Sequence, residues 1–457
     1  MAMFTKANFQ LRLNMKNLEH ANNNVPEGYI YAPDAGISPN TGKDLSHVIL
    51  NLLKKSHTSR KGIYFPAGTY LFSSDVLLTS YNSLLGSIEG TIFRCFDITK
   101  KSVMFGDSTY GTTVSNLSIE NIIFDNIRVH FYGRKSAISI SHNIFINTIT
   151  EQSTAQLTCS SNAYTINGNI FMRGRHYAGV GLSTYGNSTG LLIEQNFLGS
   201  IEDINVATPW LDDKTQTLLT TLLSLRDKGL MSFDDAQGNF VSGWYSTSNL
   251  KKGIFRKNFI SGNNEIYLYN PETGKNDISR DHGVYIKQYT QVEVIQNYFS
   301  GWTKDERASG QLKFRNAKGL VFAGNYLNQI SFNARPYDNV DEQWLIMQDT
   351  FIFNNYLSDA LISYWQNFID TKDKAINVKN YLVFSNHFIN RPDNKPLITS
   401  PNKSLSSNQF FCSENSFIET GKQVPISGVM TEITLDKIKA LLPDYAAQYL
   451  LIKPIMP

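Results

Sequence analysis

A short phrase, Asn then any residue then a large apolar residue, recurs along most of this chain and constrains its fold more than any other feature. It reads Asn143-Ile-Phe145, Asn169-Ile-Phe171, Asn196-Phe-Leu198, Asn258-Phe-Ile260 and Asn297-Tyr-Phe299. It continues with Asn325-Tyr-Leu327, Asn355-Tyr-Leu357, Asn386-His-Phe388 and Asn415-Ser-Phe417, and Asn121-Ile-Ile123 reads as an earlier copy. By subtraction, successive copies lie 22, 26, 27, 62, 39, 28, 30, 31 and 29 residues apart. A β-rich run precedes most of them, as in LLIEQN, VEVIQN, LVFAGN, FIFNN and YLVFSN. Repeats of about 20–50 residues mark solenoids or arrays. Leucine-rich repeats would show leucine at fixed offsets and propeller blades would run longer, and neither pattern is present. Short strands punctuated by Asn and Gly predict an all-β solenoid, a parallel β-helix. Asn suits a recurring turn because it tolerates left-handed backbone angles. Stacked copies can also hydrogen-bond amide to amide along the axis.

The ends fit such a solenoid. TGKDLSHVILNLLKK places Leu45, Val48, Ile49, Leu52 and Leu53 at helical spacing behind a Thr41 or Asp44 cap, which predicts an N-terminal capping helix. GIYFPAGTYLFSS then reads as the first strand pair, and TLDKIKALL as a short C-terminal helix. Between Asn196 and Asn258, LDDKTQTLLTTLLSLRDKG carries Asp212 or Asp213 as an N-cap and Gly229 as a stop, so a helical insertion is expected at about 201–250. An insertion of that size at a coil corner is expected to wall a binding groove. The organisation that follows is an extension at 1–27, an N-terminal module with its capping helix at 28–75, the β-helix at 76–425 and a C-terminal cap at 426–457.

YIYAPDAGISPNTGKDLSHVILNLL followed by GIYFPAGTYLFSS resembles the N-terminal module of the pectate-lyase-like superfamily. That superfamily includes polysaccharide lyases, epimerases, glycosidases and phage tailspike depolymerases. The resemblance implies a right-handed parallel β-helix and a carbohydrate-directed function, and leaves the chemistry open.

The stretch GQLKFRNAKGLVFAGNYL, Gly310 to Leu327, raises the question of chemistry. Leu312 and Phe314 alternate with Lys313 and Arg315, which predicts a strand with two cations on its outer side. Arg315 lies ten residues before Asn325, and in the preceding coil Lys287 lies ten before Asn297. Lys313 and Tyr285 likewise lie twelve before. Adjacent coils sit about 4.8 Å apart, so Lys287 is expected beside Arg315 and Tyr285 beside Lys313. At about 5 Å and an effective dielectric of about 20, two like charges repel by about 3 kcal/mol, which favours a neutral amine on Lys287 while Arg315 keeps its charge. A base beside a fixed cation is the pairing needed to abstract a proton alpha to a sugar carboxylate.

YIKQ and GQLKFRNAKGLVFAGN resemble two consecutive strands of the lyase family that contains chondroitinase B and many alginate lyases. The resemblance implies Lys287 as Brønsted base and Arg315 as acid or carboxylate partner. Where that family has His then Gly after the arginine, this chain has Asn316 and Ala317. Its calcium-binding carboxylates are not matched by SRDHGV, so calcium does not carry over and no cofactor is expected.

His282, next to Asp281, is a second candidate proton-transfer group or a carboxylate neutraliser. Arg175 and His176 in RGRHYAG are candidates to extend an anionic groove, and Trp244 in SGWYSTSN to stack on sugars. A hydrolase would instead need paired carboxylates, for which Asp212 with Asp213, Asp234 with Asp235, and Asp281 with Glu265 are candidates. Against all of these stands the plainer reading of Lys287, Lys313 and Arg315 as solvated edges of a β-helix face.

Composition narrows the partners. A formal charge of +3 with no Lys/Arg block gives no nucleic-acid signature. No segment approaches the ~18 apolar residues of a membrane span. Cys95, Cys159 and Cys412 are too few and too scattered for a disulfide framework or a Cys-based metal site. The opening MAMFTKANFQLRLNMKN lacks a contiguous apolar core, so no secretory signal is expected there. The leading expectation is a lyase cleaving a uronate-containing polysaccharide by β-elimination. The alternatives are a tailspike-type glycoside hydrolase, which would favour a trimer, and a non-catalytic glycan-binding solenoid. Each implies an extracellular or virion-associated setting.

Overall fold

The computed structural model describes residues 25–109, 111–149, 155–172, 180–185, 188–233, 242–262, 267–270, 273–279, 282–301, 312–336, 346–364, 377–389, 396–400 and 410–457. Over them the chain winds into a right-handed parallel β-helix with three strand-bearing faces, a helical insertion and helices at both ends. Each coil contributes a strand to the first face, then to the second, then to the third. Val103–Asp107, Val114–Glu120 and Ile122–Asp125 form one such turn. The first and second faces merge into one 23-stranded sheet, because Ser242–Arg256, Val284–Ile295 and Leu312–Ala323 run through both. The third face is a separate 12-stranded sheet.

Period-two alternation fixes which side chains fill the tube. On the first face, Phe105, Val129, Leu157 and Leu182 stack in register as an inward row that resumes at Val284, Leu312, Phe332, Ile362 and Ile398, all buried in one core. On the third face the apolar residue of each Asn phrase from Asn143 onward points inward, and Phe124 takes that place in the coil before. Phe124, Phe145 and Phe171 stack there with ring centroids 5.1 and 4.9 Å apart.

The recurrent asparagines form a continuous amide ladder from Asn143 to Asn415. At each rung the Asn backbone N–H and Nδ2 both donate to Oδ1 of the next, as in Asn258 to Asn297 at 2.9 and 2.9 Å. Two expectations change here. The left-handed residue of the corner is not the Asn but the residue before it: His142, Gln195, Lys257, Gln296, Asn354, Ser385 and Glu414 all have φ between 51° and 56°. The Asn is kept for its amide, which has a donor and an acceptor to spend along the axis. Asn121 is not a rung, because the amide of Ile122 occupies that place and donates to Asn143 Oδ1 at 3.1 Å. Asn121 instead takes the left-handed corner, with φ 58°.

At the N-terminal end, helix Val48–Ser59 buries Ile49, Leu52 and Leu53 against the first coil. Its N-cap is His47, without a side-chain bond. Thr41 and Asp44 do not cap it. Asp44 accepts from the Ser46 amide and hydroxyl at 3.0 and 2.7 Å, and from the Ser73 amide and hydroxyl at 3.1 and 2.5 Å. It therefore pins the plug to the first strand pair. Burial raises the Asp44 carboxyl, but the bonds from Ser73 and Ser46 outweigh it and bring it down to about 2. A folded value below the unfolded one means stability present above the usual carboxylate range and lost as pH falls toward 2. Asp44→Ala is expected to cost about 1–2 kcal/mol at pH 7, allowing for solvent screening, and the gap from the parent should close below pH 3 in urea titrations.

The helical insertion begins at 201, as expected, and ends sooner than 250. Helical segments occupy Ile201–Asp203, Ile204–Ala207, Thr208–Trp210 and Asp213–Asp227, while Ser242–Arg256 is already a coil strand. Trp210, Leu218, Leu219, Leu222 and Leu225 pack on the outside of the third face, over Ile144, Ile170, Phe197, Phe259 and Tyr298. That apolar outer row requires a lid, and the leucine stripe supplies it. Asp212 is the N-cap, accepting from the Thr215 amide at 2.7 Å, and it also meets His142 Nε2 at 3.1 Å.

The C-terminal helices Leu435–Leu441 and Asp444–Ala447 cover the second face in the same way, over Val321, Phe351, Phe353 and Leu382. Tyr449 donates from its hydroxyl to Glu293 Oε2 at 2.5 Å. Burial raises Glu293 above the usual carboxylate range, and the Tyr449 bond and the Arg256 charge offset this only in part. For an acid raised in the folded state, stability is present at low pH and lost as pH rises through the folded value. Glu293→Gln keeps an acceptor for Tyr449 and removes the charge. Its thermal midpoint should match or exceed the parent's at pH 7, with the advantage vanishing near pH 4.

Candidate functional site on the first face

Apolar lids cover the insertion side of the third face and the later coils of the second, and polar outward rows run along the first face. One of them is continuous in register over ten coils: His130, Thr158, Ser183, Tyr245, Tyr285, Lys313, Asn333, Ser363, Thr399 and Ser427. A second row runs Tyr185, Thr247, Lys287, Arg315 and Arg335. The two rows meet where cations concentrate.

Lys287 pairs with Arg315 in register, and Tyr285 with Lys313. Both cationic positions lie at a sharp bend. Gln288 and Asn316, the next residues, are left-handed at φ 58° and 58°, and the register skips them as the chain turns from the first face to the second. Asn tolerates that backbone, which accounts for Asn316 at this place. His282 stacks on Tyr285, with ring centroids 5.1 Å apart and planes 20° from parallel, and is itself buried.

The reading of these cations as solvated edges fails for two of them: Lys313 is 9% exposed and Arg315 2%. Lys287 and Tyr285 remain partly exposed. The alternation correctly points Lys313 and Arg315 away from the core, yet facing outward is not the same as facing water.

The alignment on Asn phrases missed Arg335, which stands opposite Arg315 one coil further on and is 3% exposed. Phe332-Asn333-Ala334-Arg335 repeats the alternation of Leu312-Lys313-Phe314-Arg315 and was the available signal. The distance to its Asn phrase differs because residues 337–345 separate the first- and second-face strands of that coil. Asn333, fully buried, accepts from Arg315 Nη1 at 2.9 Å. Behind the row, burial pushes the Tyr289 hydroxyl up, Tyr381 adds to this, and Arg315 pulls it back. Burial raises Tyr364 too, with Arg335 opposing. The positive field of the row therefore reaches into the wall.

Trp244 shares its register position with Leu182 and Val284, the inward row, whereas Tyr245 is the residue aligned with Tyr285. Asp281, Arg175 and His176 lie outside the described residues, as do Asp234, Asp235 and Glu265. The Asp212–Asp213 pair heads the insertion helix on the third face. Among the described residues, no group of three or more His, Cys, Asp or Glu is arranged to hold a metal, and no helix is long and apolar enough to cross a membrane.

Residues 29–208 match the family described as rhamnogalacturonase A/epimerase, pectate lyase-like. The match ends before the lysine and arginine strands. Two structures of the surface adhesin PfbA of Streptococcus pneumoniae are similar over 89% of this chain at 12% identity. One is covered to 99% with a TM-score of 0.52, the other to 91% with 0.51. A DFA-IIIase from Arthrobacter chlorophenolicus A6, without its lid, is 12% identical over 90% of this chain and 99% of its own, with a TM-score of 0.49. At these identities the likeness is one of fold. No curated protein matches the sequence.

Proposed function

We propose that this β-helix, a distant relative of the pectate-lyase- and epimerase-like proteins, acts on an acidic polysaccharide at the cationic rows of its first face. The observation that carries this is the placement of Lys287, Arg315 and Arg335 in register on consecutive coils, with Tyr285, Lys313 and His282 beside them. Coil spacing of about 4.8 Å presents one such group per rung, a periodicity suited to a polymer bearing regular carboxylates.

The finer reading is β-elimination. The Lys287 amine takes the proton alpha to the uronate carboxylate, and Arg315 stabilises the charge that develops on that carboxylate. The electron pair of the broken C–H bond forms the ring double bond, and the glycosidic C–O bond at the adjacent carbon breaks. The departing oxygen leaves with a proton from a neighbouring side chain or from water. No metal enters this scheme.

Hydrolysis is the second reading, favoured by the rhamnogalacturonase named in the matching family. Far-ultraviolet absorbance during digestion of a panel of uronate-containing and neutral polysaccharides separates the two. Elimination leaves an absorbing unsaturated uronate, and hydrolysis releases reducing ends without it. Saturable binding with unchanged chain length would instead make the protein an adhesive solenoid. The setting proposed in every case is extracellular or virion-associated.

A further inference from the structure

Arg315 is held from the next coil. Asn333 Oδ1 accepts from Arg315 Nη1 at 2.9 Å, and Asn333 Nδ2 donates to Ser363 Oγ at 2.9 Å one coil beyond. The Ser363 hydroxyl in turn donates to the Phe332 carbonyl at 3.2 Å. That last bond commits the hydroxyl proton, so Ser363 faces Asn333 as an acceptor and the amide cannot flip without loss. The carboxamide oxygen is thereby directed at the guanidinium. Asn333 has no exposed surface, so it acts on a ligand only through Arg315. Its register neighbour is Lys313, and Arg335 lies two residues along its own strand. A neutral amide in this place orients a guanidinium without bringing a negative charge into the row.

We propose that Asn333 is a positioning residue, fixing the direction of the Arg315 guanidinium so that the site takes an anionic group of the polymer in one orientation, with Ser363 setting the amide. The proposal rests on the reading of Arg315 as the carboxylate partner. A hydrogen bond to a charged group is stronger than one between neutral groups, and misdirecting Arg315 forfeits much of its interaction with the ligand.

The test uses the full chain with hexauronates derived from alginate and from pectin, and with inorganic sulfate, measured by calorimetry beside thermal unfolding. Asn333→Asp keeps the shape and still accepts from Arg315, but its carboxylate competes with the ligand's. It should weaken binding of the preferred hexauronate at least tenfold. Ser363→Ala, which frees the amide to flip, should weaken it severalfold and raise KM more than it lowers kcat. If Asn333→Asp fails to fold, Ser363→Ala alone decides. Parent-like affinity in whichever of these variants folds overturns the positioning role and leaves the site standing. If the parent binds neither hexauronate nor sulfate, or Arg315→Gln binds as the parent does, the site reading falls and this inference with it.

Discussion

Replacing Asn258 by leucine is expected to lower the unfolding free energy by at least about 4 kcal/mol, although the two side chains are close in size. Asn258 Nδ2 donates to the Ile193 and Arg256 carbonyls at 3.1 and 3.0 Å and to Asn297 Oδ1 at 2.9 Å. Its Oδ1 accepts from the Asn196 amide at 3.0 Å and from Asn196 Nδ2 at 2.9 Å. Leucine strands the Asn196 amide and the Ile193 carbonyl in the buried interior, at about 1–3 kcal/mol each, and breaks the relay between neighbouring coils. Asn258→Asp should do comparable damage, because a carboxylate oxygen then faces three acceptors. Lys257→Gly, one residue away, should be neutral or stabilising by up to about 1 kcal/mol, since Lys257 is exposed and left-handed at φ 52°. Chemical unfolding monitored by circular dichroism checks all three. A loss below 1 kcal/mol for Asn258→Leu would mean the ladder is incidental to stability.

Lys287→Ala is expected to reduce turnover of the preferred polysaccharide by on the order of 10²–10⁴, the usual contribution of a positioned general base. Stability should not fall. The substitution removes a partly exposed cation from beside Arg315, and relief of like-charge repulsion opposes whatever packing is lost. Arg315→Ala should be as damaging to turnover and should also raise the thermal sensitivity of the first face, because it leaves the buried Asn333 Oδ1 without the Nη1 donor. Retention of full turnover by a folded Lys287→Ala protein would remove Lys287 from the mechanism and redirect attention to hydrolysis.

Much of the coil arithmetic was legible because a solenoid converts sequence separation into spatial adjacency: equal offsets from a landmark Asn place residues on neighbouring rungs. Lys287 and Arg315 share the offset ten, and the register pairs them. The same arithmetic failed for Arg335, where intervening residues sit between the strand and its landmark, and for Asn121, where the landmark belongs to the corner rather than the ladder. Residue type alone makes Trp244 a candidate sugar-stacking ring, and only the register sets its backbone level with Leu182 and Val284.

By itself the sequence determined the solenoid, its alternating rows and the neighbours along its axis, since these follow from periodicity and hydrogen-bond capacity, both local properties. Tertiary structure decided which faces are covered. The insertion covers part of the third face and the C-terminal helices the later coils of the second, while the cations stand on the first. It also decided how deep Arg315 and Arg335 lie and that Asn333 aims one of them. Burial and aim depend on segments far apart in the chain meeting in space, and no spacing rule within one coil carries that information.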